Sequence, residues 1–296
     1  MSRAYLVTGF LGAGKTTFIK NFVRRFPPGR LALIINEFGR ENVDIQLLKD
    51  MRAALYGIDG GSIFCSCRAA EFEKALADAS VAAENIVVET TGLADPGAAR
   101  VMIGPDALRN VICVVDAQRL PKVYETAKIV KKQLACASGV ILNKLDRATP
   151  GETAAARAIL RAQCPDVPVY DAVRGDFPGM GRLLESVTVP QRDGILSADL
   201  SLRKLMLAVC PGVPRAKLEA FLHAFVEDTY RVKGFVQTAE GPAFVDCVGG
   251  FVDITPAPEG ANVNNHLVVL YGYGLRARNA VEEAGRLVPG VAEEAE

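Results

Sequence analysis

The chain has 296 residues, half of them apolar, with 34 basic and 34 acidic side chains and no formal net charge. That length accommodates two domains or one large one with a full hydrophobic core, and the charge balance excludes a nucleic-acid surface or a polybasic membrane patch as a defining feature. Seven cysteines, odd in number and without a secretion signal ahead of them, argue against a disulfide framework, and no apolar run reaches the roughly 18 residues of a membrane helix. The expectation is a cytoplasmic protein with reduced thiols that works without nucleic acid or membrane.

Residues 4–8 form a short apolar run of strand type, followed by the glycine loop GFLGAGKTT at residues 9–17 and a helical pattern over 17–26 that puts Phe18, Phe22 and Phe26 on one face. The loop fits the G-x-x-x-x-G-K-[ST] spacing. A strand entering a glycine loop that opens a helix gathers backbone N–H groups and the positive helix end around one point, which suits polyphosphate. Gly9, Gly12, Ala13, Gly14, Lys15, Thr16 and Thr17 are therefore the candidate phosphate-binding residues. Lys15 would reach the outer phosphates, and the Thr16 hydroxyl would face a Mg²⁺ ion.

Further apolar runs at 31–35, 86–88, 111–115, 140–142 and 167–170 alternate with helix-like segments at 69–83, 120–137 and 151–163. Two-sided apolar strands alternating with helices predict an α/β domain over residues 1–187, its mostly parallel central sheet covered by helices. Residues 188–200 read as a linker. A smaller α+β domain is expected over 201–296, with strands at 202–209, 230–238, 243–247, 251–254 and 267–271, helices at 214–227 and 275–287, and a frayed end. Phe235, Phe244 and Phe251 are expected in its core.

Two further motifs carry chemistry. In IVVETTGLADP at residues 86–96, Glu89 ends a central strand where a Mg²⁺-bound water or a γ-phosphate would lie, and Gly92 would let the backbone approach that phosphate. In NKLD at residues 143–146, the Asp146 carboxylate can accept both N–H donors on one edge of guanine while Asn143 bonds the O6/N7 side. Lys144 would pack its alkyl stem along the ligand.

Taken together, GFLGAGKTT, NEFG at 36–39, ETTGLADP at 89–96, VVDA at 114–117 and NKLD identify a chain that resembles the CobW-type P-loop GTPases, the group that includes UreG, HypB and MeaB. RVKGF at 231–235 and the apolar run near 267–272 resemble that family's C-terminal domain. The resemblance implies GTP hydrolysis, with GTP or GDP and Mg²⁺ bound, coupled to delivery of a transition metal or metal cofactor into a client metalloprotein. It also places Glu37 and Asp44 in the first switch region, where Asp44 would help hold Mg²⁺ or orient water. Lys15, Asp44 and Glu89 are then the candidate catalytic residues.

The sequence departs from the family at its C-x-C-C metal loop. Here the stretch reads GGSIFCSCR over residues 60–68, so that Ser62 and Phe64 stand for the first two family cysteines, Cys65 for the third, and Cys67 is an additional thiol. In an extended segment, Cys65 and Cys67 at i, i+2 would present both sulfurs to one face and share one borderline ion such as Zn²⁺ or Co²⁺. Zn²⁺ takes four ligands, so Glu37 or the same cysteines of a second subunit in a homodimer would complete the set. Arg40 replaces the glutamate common after the family's NEFG, and a cation there opposes a divalent metal. Three readings stay open: a slow metal-delivering GTPase, a GTP-gated chaperone of a cobalamin- or corrinoid-dependent protein without a metal cargo of its own, and a P-loop small-molecule kinase, against which NKLD argues.

Overall fold

A computed structural model describes residues 2–36, 52–58, 69–185, 202–248, 250–272 and 276–294. Its chain divides into two units, Met1–Ala198 and Asp199–Glu296.

The first unit is a seven-stranded sheet built from β1 (Arg3–Thr8), β2 (Leu31–Asn36), β3 (Ala54–Ile58), β4 (Asn85–Glu89), β5 (Leu108–Asp116), β6 (Gly139–Asn143) and β7 (Val169–Asp171). The order is β3-β2-β4-β1-β5-β6-β7, and every pair is parallel. Alternation along the strands sends side chains to two cores. On one face Tyr5, Val7, Leu33, Ile35 and Val87 meet Phe18, Ile19 and Phe22 of α1 (Lys15–Phe22). On the other, Ala4, Leu6, Ile34, Ile86 and Val88 meet Phe72 and Ala79 of α2 (Ala69–Ala82) and Ala99 of α3 (Pro96–Ile103). Burying Phe18 or Phe22 fully contributes about 1.5–3 kcal/mol each, and their rings stack at 5.3 Å, with Tyr5 edge-on to Phe22 at 5.7 Å. Phe26 stays in this core although the helix ends at Phe22 and passes into a single 3₁₀ turn.

The chain order reverses at β1, which lies between β4 and β5. The crevice outside the carboxyl ends of such strands is where parallel α/β sheets bind ligands, because the loops on either side diverge there.

Several elements differ from the expectations. β3 lies outside the expected strands: Ala-Leu-Tyr-Gly-Ile is apolar at four of five positions, but it is short, broken by Gly57 and β-branched only at Ile58, so it carries no clear strand signal. The helix expected over 120–137 is two helices, α4 (Leu120–Thr126) and α5 (Lys128–Cys136), parted at Ala127 where the backbone is extended. The Thr126 hydroxyl donates to the Lys122 carbonyl at 2.8 Å, a local bond that competes with helix continuation. α3 was read only as a motif, yet Asp95 caps it by accepting from Gly97 N at 2.9 Å, with Pro96 at the first position. α6 (Pro150–Gln163) opens on a reciprocal capping box between Thr149 and Glu152.

The second unit is a six-stranded antiparallel sheet of β8 (Leu202–Val209), β9 (Arg231–Thr238), β10 (Gly241–Cys247), β11 (Ile254–Pro256), β12 (His266–Gly272) and β13 (Ala292–Glu294), in the order β11-β10-β9-β12-β8-β13. One face packs on α7 (Arg215–His223) and α8 (Ala277–Leu287) through Leu207, Phe221, Val232, Leu267 and Val281. The expected phenylalanine core is elsewhere: Phe235 and Phe244 are half-buried neighbours on the opposite face, and Phe251 is 59% exposed. The end expected to fray contributes β13, whose Glu293 and Glu294 pair with β8. The expected linker, residues 188–200, lies outside the described residues.

Candidate functional site

The phosphate loop leaves β1 and turns into α1 at Gly14. Gly9 has φ +139°, and a Cβ there would collide with the Val114 carbonyl of β5, so this position takes glycine alone. Lys15, 8% exposed, folds its ammonium onto the loop and donates to Gly9 O at 2.9 Å and Phe10 O at 3.2 Å. The two carbonyls orient the ammonium within the loop, and its field reaches Glu89; a cation held among the backbone groups of a glycine loop suits anionic oxygen.

Beside it, the Thr16 hydroxyl donates to Glu89 Oε1 at 3.0 Å. Glu89 is 6% exposed, and its Oε2 is buried with no hydrogen-bond partner among the described residues. Burial pushes the Glu89 carboxyl above its ordinary value, against the opposing pull of Lys15 and the Thr16 hydroxyl. A hydroxyl oxygen next to a carboxylate with a spare buried oxygen is a hard donor set, and it fits Mg²⁺. Gly92 presses on the loop from above: an added Cβ would lie 2.7 Å from Leu11 N.

Without a cation, the charged form of Glu89 is the costly one. A raised native pKa gives stability that is full below the unfolded carboxylate value and is lost as pH rises through the native one. Glu89→Gln therefore raises the melting temperature of the nucleotide-free protein at neutral pH, and the gain closes toward pH 4. Thermal shifts across pH 4–8 check this; a gap independent of pH would contradict it.

The base-recognition motif follows β6 directly. Asn143, 1% exposed, donates from Nδ2 to Ala13 O at 2.9 Å and accepts at Oδ1 from Gly175 N at 2.8 Å. Its amide thus ties the phosphate loop to the turn after β7, and a bond to guanine O6/N7 would have to use the remaining Nδ2 hydrogen. Lys144 adopts a left-handed backbone at φ +62° and pairs with Asp116 Oδ2 at 2.8 Å. Asp116 Oδ1 accepts from Gln118 N and Arg119 N, so this carboxylate shapes the loop. Asp146 is exposed on the same turn.

The described structure thus brings together residues 9–17, Glu89, Gly92 and residues 143–146 at one edge of the sheet. Glu37, Asp44, Cys65 and Cys67 lie outside the described residues. Among the described residues, no group of three or more His, Cys, Asp or Glu side chains is placed to hold a metal ion. Burial pushes the Cys113, Cys136 and Cys247 thiols up, the last to about 12, which disfavours the thiolate a metal needs. Cys210 is exposed.

Sequence reading missed three contributors. Gln133 of α5 donates to Gly92 O and Ala94 O, Arg119 donates to Leu11 O at 3.3 Å, and the 173–176 turn supplies Gly175. Only Gln133 had a legible signal, a polar residue among Ile129, Val130 and Leu134 on the apolar stripe of a helix. No described helix is long and apolar enough to cross a membrane.

A parallel sheet carrying a G-x-x-x-x-G-K-T loop at its switch point defines a P-loop nucleotide-binding protein. The family model described as CobW/HypB/UreG, nucleotide-binding domain, matches residues 3–171, and that of the cobalamin synthesis protein cobW C-terminal domain matches residues 210–284. The chain belongs to this CobW/HypB/UreG family. Among curated relatives, the zinc chaperone YjiA of Escherichia coli (strain K12) is 34% identical over 187 residues, 58% of each chain. The zinc chaperone CobW of Pseudomonas aeruginosa is 28% identical over 213 residues, 58% of this chain and 57% of the relative. Zinc-regulated GTPase metalloprotein activator 1 of Schizosaccharomyces pombe is 28% identical over 177 residues, 54% of this chain and 43% of the relative. The chain thus spans about half the length of the curated relatives it matches.

Proposed function

We propose that this protein is a Mg²⁺-dependent GTPase whose nucleotide state controls delivery of a transition metal, Zn²⁺ first among them, to a client metalloprotein. The observation that carries the reading is the convergence of Lys15, the Thr16–Glu89 pair and the Asn143-containing turn on one phosphate loop. Lys15 binds the outer phosphates and exchanges its carbonyl partners for phosphate oxygens. Thr16 and Glu89 would hold Mg²⁺, which would supply positive charge to offset that of the terminal phosphates. Gly92 offers backbone to the terminal phosphate without a side chain in the way, and Asp146 reads the guanine edge. No arginine is supplied by the loop itself, so turnover is slow until a client or a second subunit completes the site.

The cargo half rests on the names of the relatives and on Cys65, Cys67 and Glu37, which would take the metal as substrate, with a homodimer supplying four sulfurs. Anaerobic titration of the reduced protein with Zn²⁺, in Mg²⁺–GDP and in a non-hydrolysable GTP analogue, tests it. The expected result is tight binding that differs between nucleotides and weakens at least ~100-fold in Cys65→Ser/Cys67→Ser, as loss of both thiolates requires. Zn²⁺ binding indifferent to thiols and nucleotide would remove the metal cargo and leave the GTP-gated chaperone of a corrinoid protein.

A further inference from the structure

Gln133 is 1% exposed on the inner face of α5, between the apolar side chains of Val130 and Leu134. An amide there must find partners or its burial is costly. Its Nε2 donates to Gly92 O at 3.1 Å and to Ala94 O at 3.4 Å, both in the turn that joins β4 to α3. The preceding residue, Lys132, pairs with Asp95 Oδ2 at 3.0 Å, and Asp95 Oδ1 caps α3. On its other side the same turn abuts the phosphate loop, where an added Gly92 Cβ would lie 2.7 and 2.8 Å from Leu11 N and Cα. The turn is therefore held between the loop and α5. Gly92 has no side chain to restrict its own dihedrals, so its orientation must come from an outside clamp.

We propose that Gln133 is a positioning residue for GTP hydrolysis. By holding the Gly92 and Ala94 carbonyls it fixes the peptide planes of the turn that faces the terminal phosphate, an inference that rests on the GTPase reading above. The carbonyls that Gln133 holds belong to the turn at Gly92–Ala94, whereas GDP would be held by Lys15, Thr16 and residues 143–146. Its loss is felt in the chemical step, where misplacement of about 1 Å costs up to ~100-fold.

The test is steady-state GTP hydrolysis by the full chain with Mg²⁺, alongside GDP affinity. Gln133→Met keeps the unbranched length and apolar packing without the donor. Its kcat is expected to fall about 10- to 100-fold, with KM and GDP affinity within about 3-fold of wild type. Gln133→Glu adds a signature that a packing role would not produce. Its carboxylate repels both carbonyls, but burial raises its pKa, so activity relative to wild type recovers as pH falls from about 8.5 to 6, where the carboxyl regains a proton to donate. A kcat within 3-fold of wild type in Gln133→Met, a parallel loss of kcat and GDP affinity, or no recovery of Gln133→Glu at low pH overturns the proposal. Failure of the GTPase reading shows separately, as a wild-type chain that hydrolyses no GTP, and removes this role with it.

Discussion

Lys15→Ala lowers single-turnover GTP hydrolysis by about 10³-fold and GTP affinity by about 10- to 100-fold, while the fold survives. The rate effect follows from removing a preorganised cation from a water-poor site aimed at developing charge, where single donors are worth about 10²–10³ and a full charge more. Preorganisation is visible in the two short bonds from Nζ to Gly9 O and Phe10 O, which aim the ammonium across the mouth of the loop at 8% exposure. The fold survives because deleting the buried ammonium also deletes its desolvation cost, which offsets the loss of its attraction to Glu89. Phosphate release after mixing with GTP, fluorescent-GDP titration and thermal melting together check this. A variant that hydrolyses GTP within 3-fold of wild type would place the chemistry somewhere other than this loop.

The same loop shows why the site was more legible than the fold around it. β1, β4, β5 and β6 are apolar and buried on both faces, so their apolar runs stand clear of polar neighbours, and each carries a motif at its carboxyl end. Position in the chain then equals position at the crevice, because all parallel strands end on one edge. What could not be read was set by tertiary contact. Ala127 carries no breaker signal, yet the helix divides there. Asn143 looked like a base-contacting residue, and nothing in NKLD discloses that both ends of its amide reach backbone groups of other loops. In the second unit, alternation located β9 and β10 but not which face was inward, so Phe235 and Phe244 were assigned to a core that valines occupy. The Gly92 carbonyl is held by Gln133, 41 residues away in sequence, which no local pattern around Gly92 discloses.

If Asp146 reads the guanine edge as proposed, Asp146→Asn shifts the preference from GTP to xanthosine triphosphate. The turn that carries Asp146 is rigid for reasons independent of its own side chain: Lys144 is in the left-handed region and anchored to Asp116, Arg147 N donates to Lys144 O at 2.9 Å, and Leu145 N to Ala172 O at 3.4 Å. The exposed carboxylate is therefore presented in a fixed place, and replacement by an isosteric amide changes hydrogen-bond polarity with little change of shape. Guanine offers two donors on this edge, N1–H and the exocyclic N2–H₂, which a carboxylate accepts as a pair. An Asn amide can accept one of them and sets its own N–H against the other, leaving two donors facing. Xanthine carries a carbonyl in place of the exocyclic amine, and there the amide's donor and acceptor both find partners. Mismatched polar groups at a built recognition site cost far more than a lost methylene, so GTP affinity is expected to drop about 10²- to 10³-fold while that for xanthosine triphosphate rises to near the original GTP value. Competition of GTP, xanthosine triphosphate and ATP against a fluorescent guanine nucleotide measures it for both chains. Equal loss of both purines would mean that Asp146 supports the turn and reads nothing, and an ATP preference in the wild-type chain would turn the reading from a GTP switch toward the kinase alternative.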